Sequence, residues 1–516
     1  MKYILDAVQS KEVDRFSIEE VGIPSLVLME RAALSVTEAV EEFLRTEVEQ
    51  KTSFAGETRW IQNVFGGFHV LCICGSGNNG ADGLAVARQL SQKGINVSVY
   101  FASGIEKKGT EEYEVQKRIV QNMNIAVEES YECGKYDVVV DAIFGIGLSR
   151  EITGSYAKLI EQMNLDDTKV VAVDIPSGVN ASTGHICGAA VRADMTVTFG
   201  YLKRGLVLYP GASLTGNTVV ADIGFAADVS RLQDIVAACE YKDLQQIPVR
   251  KVDGNKGTFG KVLVAAGSKN MGGAAIFSGL AAYRCGCGLV KLLTHEENHD
   301  AVLKHLPEAL MTLYTEELSD NLRKEQIKKD CQWATCIVLG PGIETDHTAK
   351  TLVETVLNDT EVPVILDADG LNVIAEQQRC GYAKGRDVIV TPHMGEMSRL
   401  TGMSIQELKE NPIQAAKEYA KQEGVICVLK DARTIVTDGT SVYINLSGSD
   451  ALATGGSGDV LTGVIAGMIS AGLPLLEAAA VGCFVHGLAG EIAGRELGNR
   501  SVNATDIANA VGKVLK

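Results

Sequence analysis

Basic residues are too few to balance the acids. Lysine and arginine number 48 against 65 aspartates and glutamates, a net charge of −17 over 516 residues. That balance argues against a nucleic-acid-binding surface and favours a soluble cytoplasmic protein. It leaves an anionic substrate open, because backbone amides alone can build a phosphate site. Long apolar runs are also missing: no window holds the roughly eighteen uninterrupted apolar residues of a membrane span. Val460 to Gly494 comes closest, and Pro474, Glu477 and His486 break it. The start, Met1 to Asp6, lacks the apolar core of a signal peptide, since Asp6, Lys11 and Glu12 interrupt it. The twelve cysteines are scattered. Cys72/Cys74 and Cys285/Cys287 have no matching pair at zinc spacing, so reduced thiols, mostly in the core, are expected.

A chain of this length predicts two or three domains. Ser17 to Phe43 has helical apolar spacing, and residues 46–66 read as a loop or excursion. His69 to Cys74 reads as a buried strand, followed by Gly75-Ser76-Gly77-Asn78-Asn79-Gly80-Ala81-Asp82-Gly83, a helix from Leu84 to Lys93 and a strand from Val97 to Tyr100. Strand, Gly-rich loop, helix, strand opens a doubly wound α/β domain. This is not a dinucleotide fingerprint, because Asn78, Asn79 and Asp82 add oxygens and donors that a plain turn does not need. Further strands end at Asp141 (residues 136–143), at Asp174 before Ile175-Pro176-Ser177-Gly178, and at Phe199 shortly before Lys203. Ligands in open α/β sheets bind beyond the carboxyl ends of strands, so Asn79, Asp141, Asp174 and Ser177 are expected to converge. Each alone would serve as a turn former or cap; four at successive strand ends favour a site.

Residues 226–247 show no strand signal, and a boundary near Cys239 divides domains 1–238 and 239–516. The second half repeats strand–loop–helix units, which predicts another parallel sheet with its motifs at carboxyl ends. Those motifs are Gly272-Gly273-Ala274, Leu339-Gly340-Pro341-Gly342, Asp367-Ala368-Asp369-Gly370-Leu371-Asn372, Thr391-Pro392-His393-Met394-Gly395-Glu396, and Lys430 to Thr434. Last comes Thr454-Gly455-Gly456-Ser457-Gly458-Asp459 before an apolar helix. Glycines leading into a helix start make an anion cradle, with Asp459 in the first turn beside it. A Gly-rich turn capped by Asp459 remains the alternative. Glu396 and Asp367 read equally as magnesium-linked groups or as caps, and His69 and His486 as structural.

GSGNNGADG, DAIFGIG, DIPSG and Thr198 to Lys203 resemble the NAD(P)H-hydrate epimerase family over about residues 1–225. The resemblance implies a potassium ion on Asn79, Asp141 and Ser177. It implies substrate contacts from Asn78, Asn79, Gly80, Ala81, Asp82, Gly145, Ile146, Gly147, Leu148, Ser149, Arg150 and Glu151, with Asp174 as substrate contact and acid/base. Ala81 stands where the family motif has a second glycine. The half from about residue 240 resembles the NAD(P)H-hydrate dehydratase branch of the ribokinase-like superfamily, carried by TPHMGE beside DADGLN and by GGSGD. This implies substrate contacts at Ala274, Gly342, His393 and Asp459, with Asp459 as catalytic base. It implies nucleotide contacts at Lys430, Asp431, Ala432, Arg433, Thr434 and Gly458, and ADP with magnesium. Asp431 replaces the commoner glycine, and Ser457 the commoner threonine.

The expectation is therefore an α/β protein of two domains, a Rossmann-like doubly wound sheet and a ribokinase-like sheet. It would repair hydrated NADH and NADPH with ADP, as a cytoplasmic homo-oligomer without nucleic-acid or membrane partners. Two rivals stand beside it: a vitamin-precursor kinase fused to an epimerase-like domain, and a non-catalytic first domain acting as a scaffold.

Overall fold

The computed structural model describes residues 1–53, 67–226, 229, 232–315 and 317–516. It divides into two compact units, Tyr3–Gln233 and Asp234–Lys516, the latter joined by Met1–Lys2. The expected boundary at 238/239 falls just after the strand Val236–Ala238, which pairs in parallel with Val442–Ile444 of the C-terminal unit. No strand was expected there, because three apolar residues between polar neighbours carry no readable period.

The N-terminal unit holds a seven-stranded sheet. Its order is Ala126–Glu128, Asn96–Phe101, His69–Cys74, Val138–Ala142, Lys169–Val173, Met195–Phe199 and Asn217–Ala221, parallel throughout. The chain starts at His69–Cys74, winds outward one way, then returns to Val138–Ala142 and winds the other. The switch point between those two strands is a crevice that a doubly wound sheet leaves open. The helix Ser25–Ser53 extends further than its predicted end at Phe43 and replaces part of the loop expected from residue 46; residues 54–66 lie outside the described residues. It packs on the helix Asn78–Gln92, where Thr37 Oγ1 donates to Gln89 Oε1 at 3.0 Å in the core.

In the C-terminal unit, Lys261–Ala265 is the starting strand, flanked by Leu289–His295 and Leu310–Tyr314 on one side. Cys336–Leu339, Val364–Leu366, Val388–Val390 and Ile426–Leu429 follow in parallel on the other. The sheet is not parallel throughout, as the repeated units had suggested: Ile426–Leu429, Ile435–Thr437 and Val442–Ile444 pair antiparallel. The five residues Lys430 to Thr434 are too few for a helical crossover, so they close a hairpin instead.

Behind this sheet the helix Ser457–Ser470 lies close against Gly272–Arg284; a Cβ on Gly463 would sit 2.1 Å from the Ser278 carbonyl. The helix Leu475–Leu497 has the length and apolarity of a membrane span, yet 72% of its most apolar window is buried within the unit, as in a core helix. All twelve cysteines are free thiols.

Candidate active sites

A cavity of about 940 Å³ opens at the switch point of the N-terminal sheet. The predicted loop after His69–Cys74 is half helix: the helix starts at Asn78, six residues before the predicted Leu84, with Gly77 as an extended cap. Glycine permits this tight entry, because a Cβ on Gly80 would lie 1.9 Å from the Gly75 carbonyl oxygen. Asn78, Asn79 and Asp82 therefore line the cavity from the first helical turns, near the positive end of the helix dipole. Gly145, Ile146, Gly147, Leu148, Ser149 and Arg150 line it from the neighbouring strand's exit, together with Asp174. Gly80, Ala81 and Glu151 do not line it. Ala81 is fully buried and packs into the core, so the methyl that departs from the family motif points no challenge at a ligand.

Asp141 and Ser177 sit behind this lining, both completely buried. Ser177 donates to Asp141 from its hydroxyl (2.6 Å, to Oδ1) and from its amide (2.8 Å, to Oδ2). Phe144 N donates to Ser177 Oγ at 2.8 Å, which ties the pair to the cavity wall. Burial pushes the Asp141 carboxyl up to about 6, against the opposing pull of the Ser177 hydrogen bonds. Asn79 comes from the other strand's exit and lies against the loop after Asp141: a Cβ on Gly145 would lie 3.1 Å from Asn79 Oδ1, and the buried Asn79 Nδ2 has no hydrogen-bond partner among the described residues. The oxygens of Asp141, Ser177 and Asn79 are hard donors of the kind a group-one cation takes, while the unpartnered Asn79 Nδ2 is itself a hydrogen-bond donor. No cluster of three His, Cys, Asp or Glu able to hold a metal occurs among the described residues.

Asp174 stands at the end of Lys169–Val173 with φ of +64°, a conformation L-residues adopt rarely and Asp more readily than most. Its Oδ1 accepts from Lys203 Nζ (2.6 Å), Thr198 Oγ1 (3.0 Å) and Phe199 N (3.0 Å). Lys203 also lines the cavity, as do Asp14 and Glu112. The sequence reading had selected none of these three. Lys203 ends the segment Thr198 to Lys203, and the parallel pairing of Leu5 with Lys203 holds it here. Burial first, then the charges of Asp174, Asp14 and Glu112, raises the Asp82 carboxyl well above the ordinary range.

The C-terminal unit repeats the arrangement. Its switch-point loops meet where Gly267 N donates to Pro341 O (2.9 Å) and Ser268 N to Gly342 O (2.6 Å). Ala274, in the first turn of its helix, is adjacent: a Cβ on Gly342 would lie 3.2 Å from the Ala274 Cβ. At the next strands, Lys430 Nζ donates to Asp367 Oδ1 at 2.7 Å, and its amide donates to Pro392 O at 2.8 Å beside His393. Gly458 faces that pair, since a Cβ there would lie 3.5 Å from Lys430 Nζ and 3.8 Å from Asp367 Oδ2. Burial works against the Lys430 ammonium, but Asp367, Glu396 and Asp459 outweigh it and hold it above its ordinary range. Burial, then the charge of Asp367, pushes the Asp459 carboxyl up to about 7 despite Lys430.

His393 caps the helix Met394–Thr401: its Nδ1 accepts from Gly395 N (2.9 Å) and Glu396 N (3.2 Å). Glu396 Oε2 in turn accepts from His393 N at 2.8 Å, so Glu396 acts as a cap. Burial and the Lys430 and Arg399 charges lower the His393 ring below its usual range, which keeps it neutral with Nε2 as its donor. Asp431, Ala432, Arg433 and Thr434 form the hairpin turn, with Asp431 and Ala432 exposed. Two buried hydroxyls at this edge, Ser268 Oγ and Thr391 Oγ1, have no hydrogen-bond partner among the described residues. His486, which had no partner pattern in sequence, places Nε2 3.3 Å from Ser457 Oγ under the glycine turn.

Two family models match the chain: one described as YjeF-related protein N-terminus over residues 25–205, and one described as NAD(P)H-hydrate dehydratase over residues 262–513. A bifunctional NAD(P)H-hydrate repair enzyme of Thermofilum pendens is 36% identical over 98% of this chain and 95% of its own. The enzyme of the same name from Moorella thermoacetica is 34% identical over 100% of this chain and 97% of its own. Among solved structures, an ADP/ATP-dependent NAD(P)H-hydrate dehydratase from Bacillus subtilis, co-crystallised with ATP and magnesium, covers 54% of this chain and 97% of its own at 31% identity, with a TM-score of 0.47.

Proposed function

The chain belongs to the bifunctional NAD(P)H-hydrate repair enzymes, and from that premise we propose which residues carry each of two reactions. The N-terminal unit interconverts the R and S forms of hydrated NADH and NADPH. The C-terminal unit dehydrates the S form with ADP, releasing AMP and phosphate. The observation that carries this reading is that each unit's motif loops gather beyond the carboxyl ends of its parallel strands: around a 940 Å³ cavity in one, around the Lys430–Asp367–Asp459 group in the other.

In the N-terminal unit Asp174 is the acid/base. Its Oδ1 is held by three donors, so Oδ2 is left to take the proton of the ring hydroxyl as the adjacent carbon–nitrogen bond opens to an aldehyde and the nitrogen is protonated. Re-addition of that nitrogen to the opposite face reverses the proton transfers and leaves the carbon inverted. Asn78, Asn79, Asp82 and residues 145–150 hold the nucleotide part of the substrate. Asn79, Asp141 and Ser177 would hold potassium, which supplies fixed positive charge that favours an ionised Asp141.

In the C-terminal unit Asp459 removes the proton of the substrate hydroxyl as its oxygen attacks the terminal phosphorus of ADP, and AMP departs. A carboxyl that titrates at about 7 is matched to that task near neutral pH. Amides of Gly456 to Gly458 stabilise charge on the transferred phosphoryl group, and Lys430 adds a cation. The ring nitrogen's electron pair then expels phosphate, and loss of the neighbouring proton restores the double bond. Ala274, Gly342 and His393 contact the substrate; Lys430 to Thr434 contact the nucleotide. Magnesium would ride on the nucleotide phosphates, neutralising their charge. We place this chemistry in a cytoplasmic homo-oligomer acting on small molecules; the charge of −17 supports the solubility that a cytoplasmic setting needs.

The test is incubation with mixed R and S hydrated NADH, potassium, magnesium and ADP or ATP, following the return of NADH absorbance. Complete recovery is expected. Recovery that stops when the S form is spent would remove the epimerase assignment. A stable phosphorylated product without NADH would instead establish the kinase rival.

A further inference from the structure

Lys203 is buried, 2% exposed, at the end of the short strand Leu202–Lys203. A buried ammonium is costly unless every N–H finds a partner. Here three acceptors surround it: Asp174 Oδ1 at 2.6 Å, Thr198 Oγ1 at 2.9 Å and Phe199 O at 2.9 Å. An ammonium has three donors, so none remains for a ligand in the cavity. Lys203 is therefore poorly placed to donate a proton to substrate.

Its geometry serves Asp174 instead. Among the described residues, every hydrogen bond to that carboxylate falls on Oδ1, from Lys203, Thr198 Oγ1 and the Phe199 amide. Thr198 links the three, accepting from Lys203 while donating to Asp174. Oδ2 has no partner among the described residues, and Asp174 lines the cavity. The residue also sits at φ of +64°, a strained position that persists only where its surroundings hold it.

We propose that Lys203 is a positioning residue of the epimerisation: with Thr198 and the Phe199 amide it clamps Oδ1 of Asp174, fixing Oδ2 toward the cavity as the proton-exchanging atom. This rests on Asp174 being the acid/base. Misplacing a catalytic group by about 1 Å costs on the order of 100-fold in rate. The clamp predicts a loss in turnover rather than in binding, since Lys203 has no donor left for substrate.

The experiment uses the full-length chain and R-form epimerisation. Lys203→Met is expected to lower kcat about 100-fold with KM changed less than about threefold. Asp174→Asn is expected to fall at least as far, and adding Lys203→Met to it to cost less than about twofold more, because a residue acting through Asp174 has nothing left to act on. Lys203→Arg, which keeps the charge, is expected to lie between wild type and Lys203→Met. It provides the same kcat-against-KM reading where the Met variant does not fold by circular dichroism. A wild-type kcat in Lys203→Met with inactive Asp174→Asn overturns the clamp and leaves Asp174 standing. A raised KM at unchanged kcat, or full additivity in the double variant, overturns it as well. Activity retained in Asp174→Asn overturns both assignments.

Discussion

Lys430 Nζ donates to Asp367 Oδ1 at 2.7 Å directly opposite Gly458, the residue before Asp459. The pair sets the electrostatics of the glycine turn: Asp367 raises the Asp459 carboxyl, Lys430 lowers it, and burial outweighs both.

The first prediction concerns pH. As a base Asp459 must be ionised, so S-form dehydration should decline as pH falls through about 7. Asp459→Asn should reduce it by about 10²–10⁴-fold, read as NADH absorbance. The folded carboxyl titrates at about 7 against an ordinary 3.8, so the folded state binds a proton that the unfolded state has lost. This term therefore destabilises the fold progressively as pH rises between those values. At pH 8 the Asn variant should melt above the wild type, and an equal or lower Tm would remove the argument.

Asp174→Ala should abolish conversion of the R form while dehydration of added S form continues at its normal rate. Chiral chromatography of the remaining hydrate distinguishes the two. R-form turnover in that variant would end the acid/base assignment.

Replacing potassium by tetramethylammonium should slow epimerisation and leave S-form dehydration unchanged. Burial holds the Asp141 carboxyl at about 6 and a bound cation pulls it lower, so the stimulation by potassium should fade only at pH below that value, where the protonated carboxyl attracts the cation weakly. Asp141→Asn should show no potassium stimulation at any pH. Stimulation persisting in that variant would place the cation elsewhere.

Backbone clearance makes a fourth prediction. A methyl on Gly80 would meet the Gly75 oxygen at 1.9 Å, whereas one on Gly77 meets nothing within 4 Å. Gly80→Ala should destabilise the N-terminal unit by about 1–3 kcal/mol or more. Each kcal/mol should lower its Tm by roughly 2–4 °C in calorimetry. Gly77→Ala should stay within about 0.5 kcal/mol of wild type. Equal behaviour of the two would refute the packing account.

Much of the fold was legible because buried parallel strands read as continuous apolar runs closed by glycine-rich exits, as at His69–Cys74 and Lys261–Ala265. What periodicity missed was local. The helix beginning at Asn78 was hidden by glycines that usually break helices, and Val236–Ala238 was too short to show a period. The hairpin at Lys430 was hidden because a strand does not reveal the direction of its neighbour. Near the candidate sites, Asn79, Asp174 and Asp459 stood out as polar groups inside apolar or glycine-rich motifs. Lys203 did not, since a lysine after a strand reads as a solvated end.

The two α/β halves, the strand ends at which polar groups gather and the family to which those motifs point are all written in the order of residues. All of these follow from short-range pattern: apolar runs, glycine exits and helix starts. Which groups share a partner follows from the folded arrangement of the strands. Asp174 and Lys203 are separated by 29 residues and Asp367 and Lys430 by 63, yet each pair is joined by one hydrogen bond. Strand order, which the chain does not spell out, makes those contacts, and burial within them moves Asp141 and Asp459 toward neutral pH.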